Sequence, residues 1–244
     1  MNQYYEEFTE SNYRKLLSAA KSRFGFERFG TTSSHPHLFW RHDIDLSVHR
    51  ALRLAEIESE EGVVSTFFFL LHSDFYNMFE KAVYDRARRI VELGHYIGLH
   101  FSGGFYGESN DLVAQKLIWE SRILEELLTA PVKVFSFHNP SEQLLAAFSS
   151  DVVAGLFNVY SEYMRKDYQY CSDSNGYWRH ERLLDVLETT STKRLHVLTH
   201  PEWWTPAPMS PKERVARCIE GRARRTQEGY DELLASAGRQ NISG

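Results

Sequence analysis

The stretch Leu38-Phe-Trp-Arg-His-Asp-Ile-Asp45 decides the fold. Leu38–His42 reads as a short buried strand that runs out at Asp43-Ile-Asp45. Beyond it Val48, Ala51, Leu52 and Ala55 recur at helical spacing as far as Glu61, and Gly62 ends that helix. Val63–Leu71 is almost continuously apolar, the pattern of a strand covered on both faces, as in parallel sheets. Strand, helix and strand in that order predict a βαβ unit, and the unit repeats. A helix over 79–93 closes at Gly94, and Tyr96–His100 is a third strand. A long amphipathic helix over 111–129 precedes a fourth strand, Val132–Phe137. A helix near 141–149, a strand near 152–157, long loops with short strands over 158–180 and a helix near 181–188 lead to a late strand, Arg194–Thr199. Pro206, Pro208 and Pro211 punctuate the way to a last helix, about 211–236, and a helix over about 9–21 opens the chain. The fold class is α/β with a mostly parallel sheet.

Composition narrows the function. Lys+Arg 28 against Asp+Glu 33 gives −5, which disfavours nucleic acid and anionic membranes as partners. No apolar run approaches the ~20 residues of a membrane span. Met1-Asn-Gln-Tyr-Tyr-Glu-Glu lacks the basic then apolar order of a signal peptide, so a cytoplasmic enzyme is expected. Cys171 and Cys218 give neither a disulfide framework nor a CxxC site. With no internal repeat, one domain over 1–244 is expected, its motif-bearing core at about 38–204. P-loop, GxGxxG and GxSxG patterns are absent, which argues against nucleotide hydrolases, dinucleotide enzymes and serine esterases.

The chemistry-bearing residues fall at the carboxyl ends of predicted strands: Asp43 and Asp45 at the first, His100 at the third, His138 at the fourth, His200 at the last. In α/β folds that rim is where sites assemble. An Asp with two or three His makes a divalent-metal site, zinc first among several transition ions. A second carboxylate can serve as general base and a further His can protonate a leaving group. The bland readings stand beside these. Asp45 could be a helix N-cap, for which Ser47 is an equally good candidate. His100 could be a hydrogen-bonded core residue and His138 a turn residue. His49 and His95 read as structural or solvated. Trp203 and Trp204, after His200, read as a pocket wall or as core, and Asp173, Trp178 and Arg179 as a substrate loop or a hairpin turn. The basic run Arg222-Ala-Arg-Arg225 is a solvated face or lies near an anionic substrate or partner.

His42-Asp-Ile-Asp45, Ser65-Thr-Phe-Phe-Phe69 and Gly94-His-Tyr-Ile-Gly-Leu-His100, in that order, resemble the polysaccharide deacetylases. These are the NodB-homology enzymes of carbohydrate esterase family 4. The resemblance is nearest to a bacterial branch associated with O-antigen and other surface polysaccharides, lipopolysaccharide included. It implies a distorted (β/α) barrel of seven strands and one divalent metal ion, often zinc, used to remove acetyl groups from N-acetylated sugars. By that resemblance Asp43 is the general base, Asp45 and His100 are metal ligands, and His200 protonates the departing amine. Asp173 to Trp178 matches the pocket-lining Asp/Trp motif, with Arg179, Trp203 and Trp204 as further substrate contacts. Two departures stand out. The family's second metal histidine falls at Gly104, and the family's arginine that orients the base falls at His138. His138 is the simplest replacement for the third ligand, with His42, His49 and His95 as competitors. The expected partner is an N-acetylated sugar, nucleotide- or lipid-linked. The rival readings are a non-catalytic barrel that binds sugar or protein, and another metal-dependent amidohydrolase or phosphoesterase.

Overall fold

The computed structural model describes residues 4–107 and 109–242. Among these the strands are β1 (Gly25–Phe26), β2 (His37–Ile44), β3 (Thr66–Leu70), β4 (Tyr96–Phe101), β5 (Val132–Phe137), β6 (Val152–Val153), β7 (Leu156–Asn158), β8 (Gln169–Ser172) and β9 (Arg194–Thr199). The helices are α1 (Glu10–Lys21), α2 (Val48–Glu60), α3 (Lys81–Glu92), α4 (Gly103–Tyr106), α5 (Asn110–Leu128), α6 (Glu142–Ala147), α7 (Glu162–Asp167), α8 (Leu183–Thr189) and α9 (Pro211–Ser236).

The sheet runs β6-β7-β5-β4-β3-β2-β9-β8, with β1 added beside β2. The seven strands from β7 to β8 along that path are parallel, and only the β6–β7 hairpin is antiparallel. The two ends of the path do not pair, so the sheet is a curled, open half-barrel with flanking helices. Curling is visible in the packing of its inner face. Phe39 of β2, Phe68 of β3 and Val134 of β5 meet Val159, Met164 and Tyr168 around β7 and β8 in one buried cluster. The outer face packs on α2, α3 and α5 at one side and on α1, α2 and α8 at the other.

Two local differences from the sequence reading have simple causes. The strand expected near 152–157 is a hairpin, broken where Ala154 and Gly155 both take positive φ. The segment over 158–180, expected as long loops with short strands, holds the short strand β8, a parallel partner of β9, and also the helix α7, which Ser161 caps by accepting from Met164 N.

Side-chain alternation positions the site. On β2 the even residues Leu38 and Trp40 face the helices, while Phe39, Arg41 and Asp43 face the hollow. On β4, Gly98 and His100 share the inner face. A Cβ on Gly98 would stand 2.5 Å from the Phe68 ring, so only glycine lets the two strands pair there without displacing that ring. On β9 the alternation sends Thr199 outward to His42 and brings His200, the next residue, to the inner rim.

The outward His42 joins a buried cluster centred on Glu58 of α2. Glu58 accepts from Tyr13 (2.5 Å) and Ser65 (2.5 Å), bonds His42 Nε2 (2.9 Å) and has His95 Nδ1 at 3.6 Å. All five side chains are sealed from solvent. His42 and His95 are therefore framework residues on the far face of the sheet. No helix among the described residues is long and apolar enough to cross a membrane.

Candidate metal and catalytic site

The carboxyl ends of β2, β4, β5 and β9 bring Asp45, His100, His138 and His200 together. Asp45 Oδ1 lies 3.1 Å from His100 Nε2. Its Oδ2 lies 3.9 Å from both His138 Nε2 and His200 Nε2. One donor atom each from Asp45, His100 and His138 falls within 4.8 Å of the others. Asp45 is not the cap of α2: Ser47 accepts from Arg50 N in that role, which leaves the Asp45 carboxylate free.

The residues fit a divalent ion. Asp45 Oδ1 is buried and has no hydrogen-bond partner, despite the nearby His100 nitrogen. An orphaned buried carboxylate oxygen is costly unless something else satisfies it. His100 is oriented as a ligand, because its Nδ1 bonds Ser136 Oγ at 2.7 Å and leaves Nε2 facing Asp45. The Ser136 hydroxyl donates onward to Asp43 Oδ1 (3.4 Å), so His100 Nδ1 carries the proton. Burial, reinforced by His100, lowers the pKa of His138, which keeps that ring neutral and able to coordinate. Asp45 is the reverse case. Burial alone would raise its pKa, but His100 first, then His200 and His138, hold it well below the ordinary carboxylate range. Two imidazoles and one carboxylate are a borderline donor set suited to Zn²⁺ and to other divalent transition ions. Gly104, where the resemblance places a second histidine, lies in α4. Among the proposed replacements, His42 and His95 are bound to Glu58, and His49 lines a different cleft.

Asp43 stands behind His100, its Oδ2 3.7 Å from His100 Nδ1 and its side chain 2% exposed at the floor of the site. Arg41, two residues earlier on the same face of β2, places Nη2 3.3 Å from Asp43 Oδ2. The fully buried Arg41 guanidinium also reaches Tyr160 Oη at 3.2 Å and lies over the Tyr160 and Phe68 rings. A buried arginine therefore stands beside Asp43 from its own strand, while position 138 carries a histidine. Sequence reasoning missed both Arg41 and Ser136. The signal was the period-two spacing, Arg41 to Asp43 and Ser136 to His138.

On the other side of the cluster, His200 is clamped by Asp173. Both Asp173 oxygens accept from the His200 backbone N–H at 3.0 Å, and Oδ1 lies 2.7 Å from His200 Nδ1. Asp173 Oδ2 also accepts from Trp204 Nε1 at 3.0 Å. Burial disfavours the charged His200 ring, but the bond and charge of Asp173, with Asp45, outweigh it and lift the pKa to about 10. His200 in the metal-free protein is therefore expected to titrate near pH 10 by NMR, and Asp173→Asn to return it toward ~6.5. A raised folded-state pKa also sets the sign of the linkage. The contribution of this pair to stability is complete below about pH 6.5 and disappears as pH rises through 10. Titration of wild-type His200 near 6.5 would contradict the clamp.

A cavity of about 280 Å³ opens over the cluster. Asp43, Asp45, His100, His138 and His200 form its base, with Tyr160, Tyr170, Ser172, Ser174, Arg179 and His180 around it. Of the five residues expected as substrate contacts, Arg179 lines this cavity. The other four are placed differently. Asp173 is fully buried behind His200. Trp178, Trp203 and Trp204 pack with Phe8 and Tyr13 in the core, where their large apolar surface outweighs any exposed role. His180, which the sequence does not single out, also lies at the cavity.

No protein-family model matches the sequence, and neither does any curated protein. Solved structures do match. A family 4 carbohydrate esterase from Bacillus anthracis is 13% identical, with a TM-score of 0.47 over 87% of this chain and 86% of that one. A peptidoglycan N-acetylglucosamine deacetylase is 14% identical, with a TM-score of 0.48 over 86% and 87%. An activity-restored mutant of a carbohydrate esterase family 4 pseudoenzyme is 16% identical, with a TM-score of 0.47. There the match covers 80% of this chain but spans only 65% of the other. Two further matches, from Bdellovibrio bacteriovorus and Bacillus subtilis, are also peptidoglycan deacetylases. The peptidoglycan named in these matches is a polymer outside the cell membrane, so they give the expected cytoplasmic location no support; at under 20% identity they show a likeness of fold.

Proposed function

We propose that the protein is a metal-dependent carbohydrate N-deacetylase that removes an acetyl or related acyl group from an amino sugar of a surface polysaccharide. The observation that carries the reading is the orphaned Asp45 oxygen facing His100 Nε2, with Asp43 on one side and His200 on the other. The polysaccharide class rests on the resemblance of the His42–Asp45 and Gly94–His100 motifs.

Asp45, His100 and His138 would hold the ion. When bound, such an ion lowers the pKa of water to about 7 and polarises a carbonyl oxygen. Asp43 takes a proton from the attacking water, and Arg41 and Ser136 fix its carboxylate for that task. His200, held protonated by Asp173, gives a proton to the departing sugar amine. Arg179, Ser172 and Ser174 supply donors at the cavity wall for sugar hydroxyls. The dyad of His200 and Asp173 keeps one acid and the dyad of Asp43 and Arg41 keeps one base, on opposite sides of the cluster.

The test is acetate release from N-acetylglucosamine oligomers and from carrier-linked N-acetyl sugars, before and after chelation. Release that is lost with the chelator and restored by a divalent ion is expected. Metal-loaded protein that liberates no acyl group from any N-acylated sugar would overturn the reading.

A further inference from the structure

A second cleft, of about 360 Å³, begins at Leu46, the residue after Asp45 in the chain. Its walls are the first turn of α2, the segment around Tyr76 with the start of α3, Glu202 and Thr205 after β9, and one face of α9. Seven arginines line it against two carboxylates, Glu80 and Glu202, in a chain whose net charge is −5. Such a concentration of one sign around a concave surface raises the local positive potential met by whatever enters.

Several of these charges are already used. Arg222 pairs with Glu80, Arg50 with Glu10 and Arg225 with Glu232. Arg217 and Arg224 have no acidic partner among the described residues. Arg214 is 1% exposed, and although Nη2 and Nε bond backbone and Thr205, its Nη1 is buried with no partner. An unpartnered buried guanidinium N–H on a residue that lines the cleft lacks the acceptor such groups normally have. His49, on the α2 wall, registers the local field. Burial lowers its pKa, and Arg86, Arg50 and Arg217 push it further down. The backbone N–H groups at the start of the 13-residue α2 add a positive dipole end.

We propose that this cleft binds a diphosphate group, held by Arg214, Arg217, Arg224 and Arg86. Forked guanidiniums match phosphate oxygens in pairs, and several dispersed arginines suit two linked phosphates better than one. The occupant does not depend on the acyl chemistry of the metal site. A diphosphate could come from a nucleotide or from a lipid carrier, and the same recognition serves both.

The test is calorimetric titration with inorganic pyrophosphate at low ionic strength. Wild-type protein is expected to bind it, and Arg217→Glu/Arg224→Glu to weaken binding about tenfold or more. A charge-matched control on a distant face, Arg165→Glu/Lys166→Glu, should leave binding within about twofold. Asp45→Ala should also retain it, which separates the cleft from phosphate captured by a metal. Tighter binding of uridine diphosphate than of pyrophosphate would support a nucleotide source. Pyrophosphate binding accompanied by co-sedimentation with phosphatidylglycerol vesicles only when they carry a polyprenyl diphosphate would support a lipid-borne one. No pyrophosphate binding, equal weakening in the control, loss in Asp45→Ala, or attachment to vesicles alone would overturn the proposal.

Discussion

Asp43→Asn is expected to lower turnover by about 10²–10⁴-fold while leaving the metal content of the protein at the wild-type level. The amide is nearly isosteric and can still accept from Ser136, so the His100 hydrogen-bond chain survives. It cannot take a proton from water. Asp43 also contributes none of the three donor atoms that converge at the metal cluster. The variant does leave Arg41 buried without its anionic neighbour, which costs some stability. Folding is therefore checked by circular dichroism before the kinetics are compared. Arg41→Lys provides the companion measurement. Retaining the charge but not the guanidinium fork, it should lower turnover less than Asp43→Asn does. Wild-type turnover in Asp43→Asn would remove Asp43 as the base.

Glu58→Ala is expected to give the largest loss of stability of any single truncation outside the site, about 3–5 kcal/mol by urea denaturation. The substitution strands Tyr13, His42 and Ser65 at once, in a region sealed from water. Each orphaned polar group costs about 1–3 kcal/mol, so the loss is larger than one missing contact. The pH dependence has a definite sign. Burial raises the Glu58 pKa, but His42 and its other partners outweigh that and hold it below the ordinary value. The contribution of Glu58 is therefore present above the ordinary glutamate range, ~4.3, and is lost as pH falls through its folded-state value. The gap between wild type and Glu58→Ala should be full at neutral pH and narrow in acid. A loss under about 1 kcal/mol would mean that the cluster is not a structural centre.

The order of strands and helices was legible because each parallel strand is an uninterrupted apolar run and each helix ends at a glycine or a polar turn. The rim residues were legible for the same reason: the apolar run stops where the chain reaches the open end of the sheet. Which histidine completes the cluster was not legible from spacing, since His42, His95 and His138 all sit at strand ends. Alternation separates them. His42 neighbours Asp43 and so must face the opposite side of β2, where Glu58 meets it. The same count would have placed Arg41 beside Asp43 and Ser136 beside His138. The role of Asp173 was hidden because it follows a short edge strand in a loop-rich segment, and only tertiary contact shows that it clamps His200 and Trp204. The tryptophans misled because a Trp beside a catalytic-looking His suits a sugar platform and a core equally well. Phe8 and Tyr13, far away in sequence, decide for the core.

The central claim is that Asp45, His100 and His138 form one metal centre. Inductively coupled plasma mass spectrometry on wild-type protein and on Asp45→Ala, His100→Ala and His138→Ala tests it most directly. About one divalent transition ion per chain in wild type, lost or weakened tenfold or more in each of the three variants, is the predicted result. No ion in wild type, even after incubation with zinc, nickel or cobalt, would contradict it, and so would full retention in His138→Ala.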